Sequence, residues 1–467
     1  MRKFKFVDDE SYKFWNIELS GSSYTVAWGK IGTKGQSKTK DFGTNDAAQK
    51  AYDKIIQEKL AGGYVEITPP VATTTTENVL EKAIAHDFDD VAAHAAYADW
   101  LTQQGDARGE FIQVQLALED PQTPAAQRKE LQKRESELLK THGRTWLGSL
   151  AGEILDQEPL SPWLQKRVGD EPFRFNRGWL ETLRLPSLSV KFARALAKAP
   201  EARFMQRLYL HGETYEDGEF EPGDDIPAGT DNPSMYALLR CPYFGQLRVL
   251  FLGEPEEEGN CHTSGETAVD LVSRTPHLEE LYLLAHRVDM KTLFAMKTLP
   301  KLRILQIDHN RTYPLEILAE NSAFSNLTHL MFHPHALEPD DDSAYISLAA
   351  MKALVHSPHL KKLTHLRLRL SDLGDEGCEE IVSSGILKHL KVLDLMHGRI
   401  TDEGAKVLAG CTDIRNLELL EISNNYLTKT GIDNLTKAGI AKVQAVSQYD
   451  PSGNHDDMEY LWMGDME

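Results

Sequence analysis

A hydrophobic pattern recurs through the second half of the chain and constrains its fold more than any other feature. The template is leucine-x-x-leucine-x-leucine, with other apolar residues allowed at the leucine positions. It begins nine times, at Leu180, Met205, Leu247, Leu278, Leu302, Leu327, Leu363, Leu390 and Leu417. A single copy is too short to bury its own apolar face, so neighbouring copies must stack into one array.

The spacing and content of these copies are typical of leucine-rich repeats. The last copy keeps the full pattern through Asn425 and Leu427, and a weaker tenth copy begins at Ile440. Residues 401–410 and 428–439 have helical patterns between the copies. We therefore predict a leucine-rich-repeat horseshoe over residues 179–446, with parallel strands on the concave side and helices on the convex side. The fold class predicted for the whole chain is α/β and multi-domain.

The same register predicts which side chains face the concave surface. Leucines alternate inward along each strand, so the residue between the last two leucines points outward, as does the residue after them. The candidate partner-binding residues at these positions are Tyr209, Phe251, Tyr282, Leu284, Met331, Arg367 and Arg369. The first four form an aromatic and apolar patch of the kind that marks interaction sites. The alternative is that a neighbouring domain or the C-terminal tail covers this patch.

Acidic segments follow several of the predicted strands. They span residues 212–225, 254–258 and 338–342. All emerge after a strand, so we expect them to line one edge of the horseshoe. Such an edge favours a basic partner, although a charged segment can equally be an ordinary solvated loop.

The first 67 residues predict a separate small domain. Residues 13–19 and 23–31 alternate as strands do, a third polar run covers residues 37–42, and a helix is expected from Asn45 or Asp46 to about Leu60. The glycines at 62–63 end the helix. The pattern indicates a small sheet packed under one helix.

The run AWGKIGTKGQSKTKDF, the helix and the closing GGYVE resemble a WGR domain over nearly all of residues 1–67. Such domains occur in poly(ADP-ribose) polymerases, where they help to bind DNA ends, and in many bacterial proteins. The signature falls on Trp28, Gly29 and Lys30, so a lysine stands where the family has arginine. Lysine keeps the charge but loses the planar, two-pronged contact. The resemblance implies weak binding of DNA or RNA through Trp28, Lys30, Lys34 and Lys38; the alternative is that Trp28 is simply a core residue.

The distribution of charge also favours the first domain as the site of any nucleic-acid binding. The formal net charge is -20, which argues against nucleic-acid binding by the chain as a whole. Residues 1–67 contain 11 Lys and Arg against 9 Asp and Glu, a net charge of +2. Any phosphate contact is therefore expected in the first domain.

Between the two ends we predict a linker and a helical segment. Residues 68–77 form a Pro/Thr-rich linker, and residues 78–178 contain successive helical patterns. The string YADWLTQQGDARGEFIQVQLAL resembles a short helical segment found ahead of leucine-rich repeats in some bacteria. Residues 447–467 form an acidic C-terminal tail or cap.

No motif of an enzyme is found. Phosphate loops, zinc helices, nucleophile elbows and EF-hand loops are missing, and we predict no catalytic residue, no cofactor and no metal. Metal binding at one edge, through His286, His309, His333, His335 and His397, is the less favoured alternative. Four scattered cysteines and the lack of a signal peptide or an apolar membrane span favour a cytoplasmic protein.

These observations favour a non-enzymatic adaptor that binds a protein partner through the repeats. The alternative is a nucleic-acid-associated regulator that acts through the WGR-like domain. A regulatory subunit of a separate enzyme is a third reading.

Overall fold

The computed structural model describes residues 2–7, 12–30, 33, 35–61, 64–66, 76–156, 171–212, 233–253, 261, 263–334 and 346–450. The chain divides into two compact units, Met1–Lys82 and Ala83–Glu467. Within the described ranges, no helix has both the length and the apolarity that crossing a membrane requires.

The first unit is an antiparallel sheet packed on one helix. Its strands are β1 (Arg2–Val7), β2 (Tyr12–Ser20), β3 (Ser23–Lys30), β4 (Gln36–Asp41) and β5 (Val65–Glu66), in the order β4-β3-β2-β1-β5, and helix α1 spans Asn45–Ala61. The buried core consists of Phe4, Trp15, Ile17, Tyr24 and Ile56. The predicted strands and helix are present.

Strands β1 and β5 were not predicted. In β1, Phe4 and Phe6 alternate with lysines, which is the pattern of a half-buried strand. Phe4 is fully buried at the centre of the core. The alternation of phenylalanine and lysine therefore indicates this strand in the sequence itself.

The second unit begins with a helical segment. Its helices are α2 (Thr76–His86), which crosses from the first unit, α3 (Val91–Gln103), α4 (Ala107–Glu119), α5 (Ala125–Leu147) and α6 (Ala151–Leu155). Asp90 and Asp106 cap α3 and α4 by accepting hydrogen bonds from backbone N–H groups of the first turn. Phe111, Leu138 and Trp146 belong to the same buried cluster as the leucines of the repeats. The helical segment therefore closes the first end of the repeat core.

A hairpin joins these helices to the repeats. Strand β6 (Phe173–Asn176) pairs antiparallel with β7 (Trp179–Leu185). The connecting residues Arg177 and Gly178 both have positive φ, 49° and 80°, as tight two-residue hairpin turns of one class require. Arg177 donates to the Glu119 carboxylate and to the Phe88 carbonyl oxygen, and a Cβ on Gly178 would lie 2.3 Å from Ile112. The turn is thus fixed from both sides by the helical segment.

The repeats form one sheet of parallel strands that runs in sequence order from β7 to β16. The strands after β7 are β8 (Arg207–Leu210), β9 (Val249–Gly253), β10 (Glu280–Leu284), β11 (Ile304–Asp308), β12 (His329–His333), β13 (His365–Leu368), β14 (Val392–Asp394), β15 (Leu419–Glu421) and β16 (Val443–Gln444). Each of the nine predicted copies supplies one strand, and its leucine positions are buried. The predicted leucine-rich-repeat array is confirmed.

Helices pack against one face of this sheet, and no helix among the described residues covers the other face. They are α7 (Val190–Lys198), α8 (Pro233–Leu238), α9 (Ala268–Val272), α10 (Met290–Ala295), α11 (Leu315–Ala319), α12 (Leu348–Val355), α13 (Gly374–Ser384), α14 (Asp402–Gly410) and α15 (Lys429–Lys437). The leucines fill the space between sheet and helices. We call the other side of the sheet, which is the predicted concave side, the open face.

Candidate binding surfaces

Three aromatic side chains stand side by side on the open face, as the register predicted. Tyr209, Phe251 and Tyr282 are aligned across β8, β9 and β10. The ring centroids of Tyr209 and Phe251 lie 6.1 Å apart, and those of Phe251 and Tyr282 lie 5.8 Å apart. All three are half-buried. We call these three residues the aromatic row.

Both ends of the aromatic row contact charged side chains. The Arg184 guanidinium lies over the Tyr209 ring, 4.5 Å from its centroid. At the other end, the Tyr282 hydroxyl donates a hydrogen bond of 3.1 Å to the Glu280 carboxylate. Burial, and then the Glu280 charge, raise the pKa of the Tyr282 phenol. Tyr282 therefore stays protonated at neutral pH.

The prediction that Leu284 is exposed was wrong, since only 3% of its surface is accessible. Leu284 ends β10 and lies next to Cys261. The Cys261 thiol lies 3.3 Å from the Leu284 carbonyl oxygen, and Ser264 pairs with His286 just beyond. Residues that directly follow the last leucine of each copy thus lie at strand ends, where other segments of the chain contact the sheet. Most of these residues are buried.

The remaining predicted partner-binding residues lie farther along the same face. Met331 is half-buried between Gln306 and Arg367 in the register. Arg367 and Arg369 both contact the Asp394 carboxylate, at 3.4 Å and 3.0 Å. The two arginines are therefore held in an ion-pair cluster of the array itself.

A further column of side chains lies on the open face, in addition to the two outward positions predicted for each copy. Residues two places earlier on each strand share that face. This column contains Arg207, Val249, Glu280, Ile304, His329, His365, Val392 and Leu419. The period-two pattern that identified the aromatic row could have found it.

Two histidines of this column form a stacked pair. The ring centroids of His329 and His365 are 3.9 Å apart, with an interplanar angle of 15°. The Nδ1 atoms lie 2.9 Å from the hydroxyls of Thr328 and Thr364. Each threonine hydroxyl donates its proton to a backbone carbonyl oxygen. The hydroxyl oxygen therefore accepts a hydrogen bond from the histidine, whose proton is on Nδ1. The Nε2 atoms then carry the lone pairs.

Several histidines considered as metal ligands are bonded to protein groups instead. The two ring nitrogens of His286 lie 2.9 Å and 2.8 Å from the carbonyl oxygens of His309 and Cys261. His397 contacts the Asn424 amide and the Tyr449 hydroxyl. His335 lies outside the described residues, as do the acidic segments beyond residue 212. The part of the chain that the structure describes contains no group of three or more metal-ligating side chains.

In the first unit, the candidate nucleic-acid contacts share one face of the sheet. Trp28 lies opposite Trp15, Lys30 lies opposite Lys13, and Lys38 lies opposite Val26, and directly paired residues point to the same side. Trp15 is buried in the core, whereas Trp28 is 37% exposed. The alternative that Trp28 is a core residue was wrong, because Trp15 fills that position. Lys34 lies outside the described residues.

The glycines around Trp28 allow a close backbone approach. Gly35 has a φ of 63°, and a Cβ there would lie 2.4 Å from the Trp28 carbonyl oxygen and 2.5 Å from the Phe14 ring. A Cβ on Gly29 would lie 2.7 Å from the Gly35 Cα. Gly29 and Gly35 therefore lie close together, next to the Trp28 backbone.

Comparison with known proteins agrees with both parts of this architecture. A sequence model described as the WGR domain matches residues 2–70, and one described as a leucine-rich repeat matches residues 359–382 and 387–409. The chain carries a WGR domain and leucine-rich repeats. In general neither kind of domain is catalytic, leucine-rich repeats bind proteins, and WGR domains are associated with nucleic acids.

The similar curated proteins each match a short part of the chain, which for YehF is the WGR region. Protein YehF of Escherichia coli (strain K12) is 48% identical over 66 residues, which is 14% of this chain and 24% of that protein. The uncharacterized protein YfeS of the same organism is 37% identical over 65 residues, 14% of this chain and 27% of that protein. The chain thus spans about a quarter of the length of each relative.

One solved structure, of a Bacteroides fragilis protein, aligns with 96% of this chain and 97% of its own at 18% identity, with a TM-score of 0.39. That likeness is too low to support an argument about function.

Proposed function

We propose that this protein is a non-enzymatic, cytoplasmic adaptor whose leucine-rich repeats bind a partner protein through the open face. The observation that carries the proposal is the aromatic row, in which Tyr209, Phe251 and Tyr282 form a contiguous surface across three strands. Aromatic residues are the commonest energetic anchors of protein interfaces. They stand on the side of the sheet away from the leucine core, so packing of the repeats does not require them.

The proposal is tested by affinity capture from the native host with nuclease treatment. We expect the wild-type chain to retain a protein that the Phe251→Ala, Tyr282→Ala double variant loses, because truncating interface anchors commonly costs about 2 kcal/mol or more each. The thermal melt should change little. Trp28→Ala is the matched control, since it removes an exposed aromatic ring from the other unit. Equal capture by the wild type and the double variant would reject the proposal.

A second function, nucleic-acid binding by the WGR domain, is supported by a different observation. The exposed Trp28 ring shares a sheet face with Lys13, Lys30 and Lys38. An aromatic ring beside ammonium groups suits contact with a base and neighbouring phosphates. Few phosphates can be neutralised here, so we propose weak binding that falls steeply with salt.

This second function is tested by fluorescence anisotropy with a labelled DNA duplex and a labelled RNA at low salt. Lys30→Glu should abolish binding, whereas Lys50→Glu, an identical charge change on helix α1, should weaken it less. Trp28→Ala should also weaken binding without unfolding the unit, since the buried core residue is Trp15. If the folded wild-type chain binds neither probe, the nucleic-acid proposal fails and the adaptor proposal is unaffected.

A further inference from the structure

Two guanidinium groups contact one buried carboxylate at the first strands of the open face. Glu181 is 5% exposed. Its carboxylate lies 2.7 Å from the guanidinium of Arg174 and 3.8 Å from that of Arg207, and it accepts a hydrogen bond from Thr182. Arg184, also on β7, forms no ion pair with any residue that the structure describes. Strands β6, β7 and β8 therefore carry three arginines and one carboxylate, within a chain of net charge -20.

The Arg184 guanidinium contacts an aromatic ring instead of a carboxylate. It lies over the Tyr209 ring, and a contact of this kind leaves guanidinium N–H groups able to donate to a ligand. Arg184 and Tyr209 are register neighbours on β7 and β8. The Arg184 guanidinium thus lies next to Tyr209, at one end of the aromatic row.

The nearby carboxylate of the open face does not compensate this charge. Glu280 accepts from the Tyr282 hydroxyl and lies 3.7 Å from the Arg303 guanidinium. It stands at the far end of the aromatic row from Arg184. Among the described residues, none therefore offers a carboxylate that pairs with Arg184 and would compete with an anion of the partner.

We propose that the partner presents an extended peptide segment in which an aspartate or glutamate neighbours aromatic or aliphatic residues. The carboxylate pairs with Arg184, with Arg207 adjacent, while the apolar side chains cover Tyr209 and Phe251. This inference rests on the proposed adaptor function and specifies its partner. The basic partner expected from the sequence depended on acidic segments that lie beyond the described residues. The described residues at this end of the face favour the opposite charge.

A nucleic acid fits this surface less well, although arginine and aromatic rings can also bind one. Glu280 and Glu421 lie on the same face and would repel a phosphate chain that continued along the sheet. A peptide needs only one anionic group at the Arg184 end.

The test is selection of a displayed library of random peptides on the full-length chain. We expect peptides that carry Asp or Glu close to an aromatic or leucine residue. Arg184→Glu should weaken binding of the selected peptides by about tenfold to a hundredfold, as expected for loss of an ionised hydrogen bond. Selection repeated on Arg184→Glu should favour Lys or Arg at the same peptide position. Lys198→Glu, the same charge change at the end of α7, is the control and should alter neither result.

The outcomes separate this inference from the proposed function. If Phe251→Ala with Tyr282→Ala abolishes peptide binding but Arg184→Glu does not, the aromatic row is the binding site and the anion inference is wrong. Enrichment of neutral or basic peptides by the wild-type chain overturns it as well. If neither variant changes binding of any selected peptide, the adaptor function itself fails. A labelled single-stranded DNA whose binding depends on Arg184 would assign the surface to nucleic acid instead.

Discussion

Asn425 joins two neighbouring repeats through its side-chain amide. Its Oδ1 accepts from the N–H groups of Gly398 and Ile400, and its Nδ2 donates to carbonyl oxygens that include Leu395 and Ile422. The side chain is fully buried. Buried backbone groups are costly to leave without partners, so this residue should contribute far more to stability than its size suggests.

We therefore expect Asn425→Ala to lower the free energy of unfolding by about 3 kcal/mol. Asn434→Ala removes an amide of helix α15 that makes no side-chain hydrogen bond with described residues, and it should change stability by less than about 0.5 kcal/mol. Urea denaturation followed by circular dichroism measures both. Similar effects of the two variants would mean that neighbouring groups, or water, replace the Asn425 bonds.

The stacked His329 and His365 pair makes stability depend on pH. Burial is the largest cause that lowers the pKa of each imidazole, and for His329 the neighbouring His365 adds to it, as does Arg303. Glu280 opposes the shift at His329, and Glu418 opposes it at His365. The neutral forms are therefore favoured in the folded state.

The sign of the pH effect follows from these lowered pKa values. Below about pH 6.5, the ordinary histidine value, the unfolded chain takes up protons before the folded chain does. The stability contributed by the neutral pair is complete above that pH and is lost as the pH falls through the folded-state pKa values. We expect His329→Gln with His365→Gln to flatten the fall in stability below pH 6.5. The exposed His389→Gln is the control, and thermal melts across pH 5 to 7 provide the measurement. An unchanged pH profile in the double variant would contradict the expectation.

At the scale of elements, carboxylates link successive helices of the last repeats. Asp375 of α13 accepts from the N–H and hydroxyl of Thr401, the residue that caps α14. Asp402 of α14 contacts Thr428, the cap of α15, in the same way. A Cβ on Gly404 or Gly431 would lie 2.5 Å or 2.2 Å from the carboxylate of the preceding helix. The glycines therefore make room for the link.

Removing one link should loosen one helix. Asp402→Ala should increase the rate of amide hydrogen exchange in α15 by about tenfold, as loss of hydrogen bonds to a charged group predicts. Exchange in α7, at the other end of the array, should not change. Asp433→Ala removes an exposed carboxylate from α15 itself and should leave its exchange nearly unaltered. Uniform acceleration along the whole array would show that the links do not act locally.

The strands of the repeats could be predicted from the sequence, because the leucine spacing determines both their register and the face that they bury. The aromatic row follows from the same register. The burial of Leu284 could not be predicted, because Cys261, which lies at this strand end, is 23 residues away in the sequence. The contacts of Arg367 and Arg369 with Asp394 could not be predicted either, because they depend on the side-chain conformations of residues in adjacent repeats. Local pattern determines which way a side chain points, and neighbouring repeats determine what it contacts.

At the scale of the whole chain, the two units have separate hydrophobic cores. Phe4 belongs to the core of the first unit and Leu305 to the continuous core of the second. Residues 68–77, predicted as a linker, lie for the most part outside the described residues. Separate cores predict separate unfolding transitions.

Calorimetry of the full-length chain should resolve this independence. Phe4→Ala should lower only the transition of the first unit, by about 3 to 5 kcal/mol of stability, because it leaves a cavity in a small core. Leu305→Ala, at about 2 to 5 kcal/mol, should lower only the other transition. A shift of both transitions by either substitution would show that the two units unfold cooperatively.

The carboxylate links between helices also define a unit by which such an array can be lengthened. Asp375 and Asp402 stand 27 residues apart, and 27 residues farther on the corresponding position holds Lys429. Consider a second copy of a 27-residue segment of this kind, inserted between α13 and α14. The threonine that caps its helix would bond to Asp375 of α13, and its own aspartate would bond to Thr401, the cap of α14. Beyond α15 the series is broken, because an ammonium group cannot accept the N–H and hydroxyl of another threonine. The change from aspartate to lysine at position 429 therefore marks the end of the series: a repeat of this type can be inserted before α15 but cannot be added after it through the same contact.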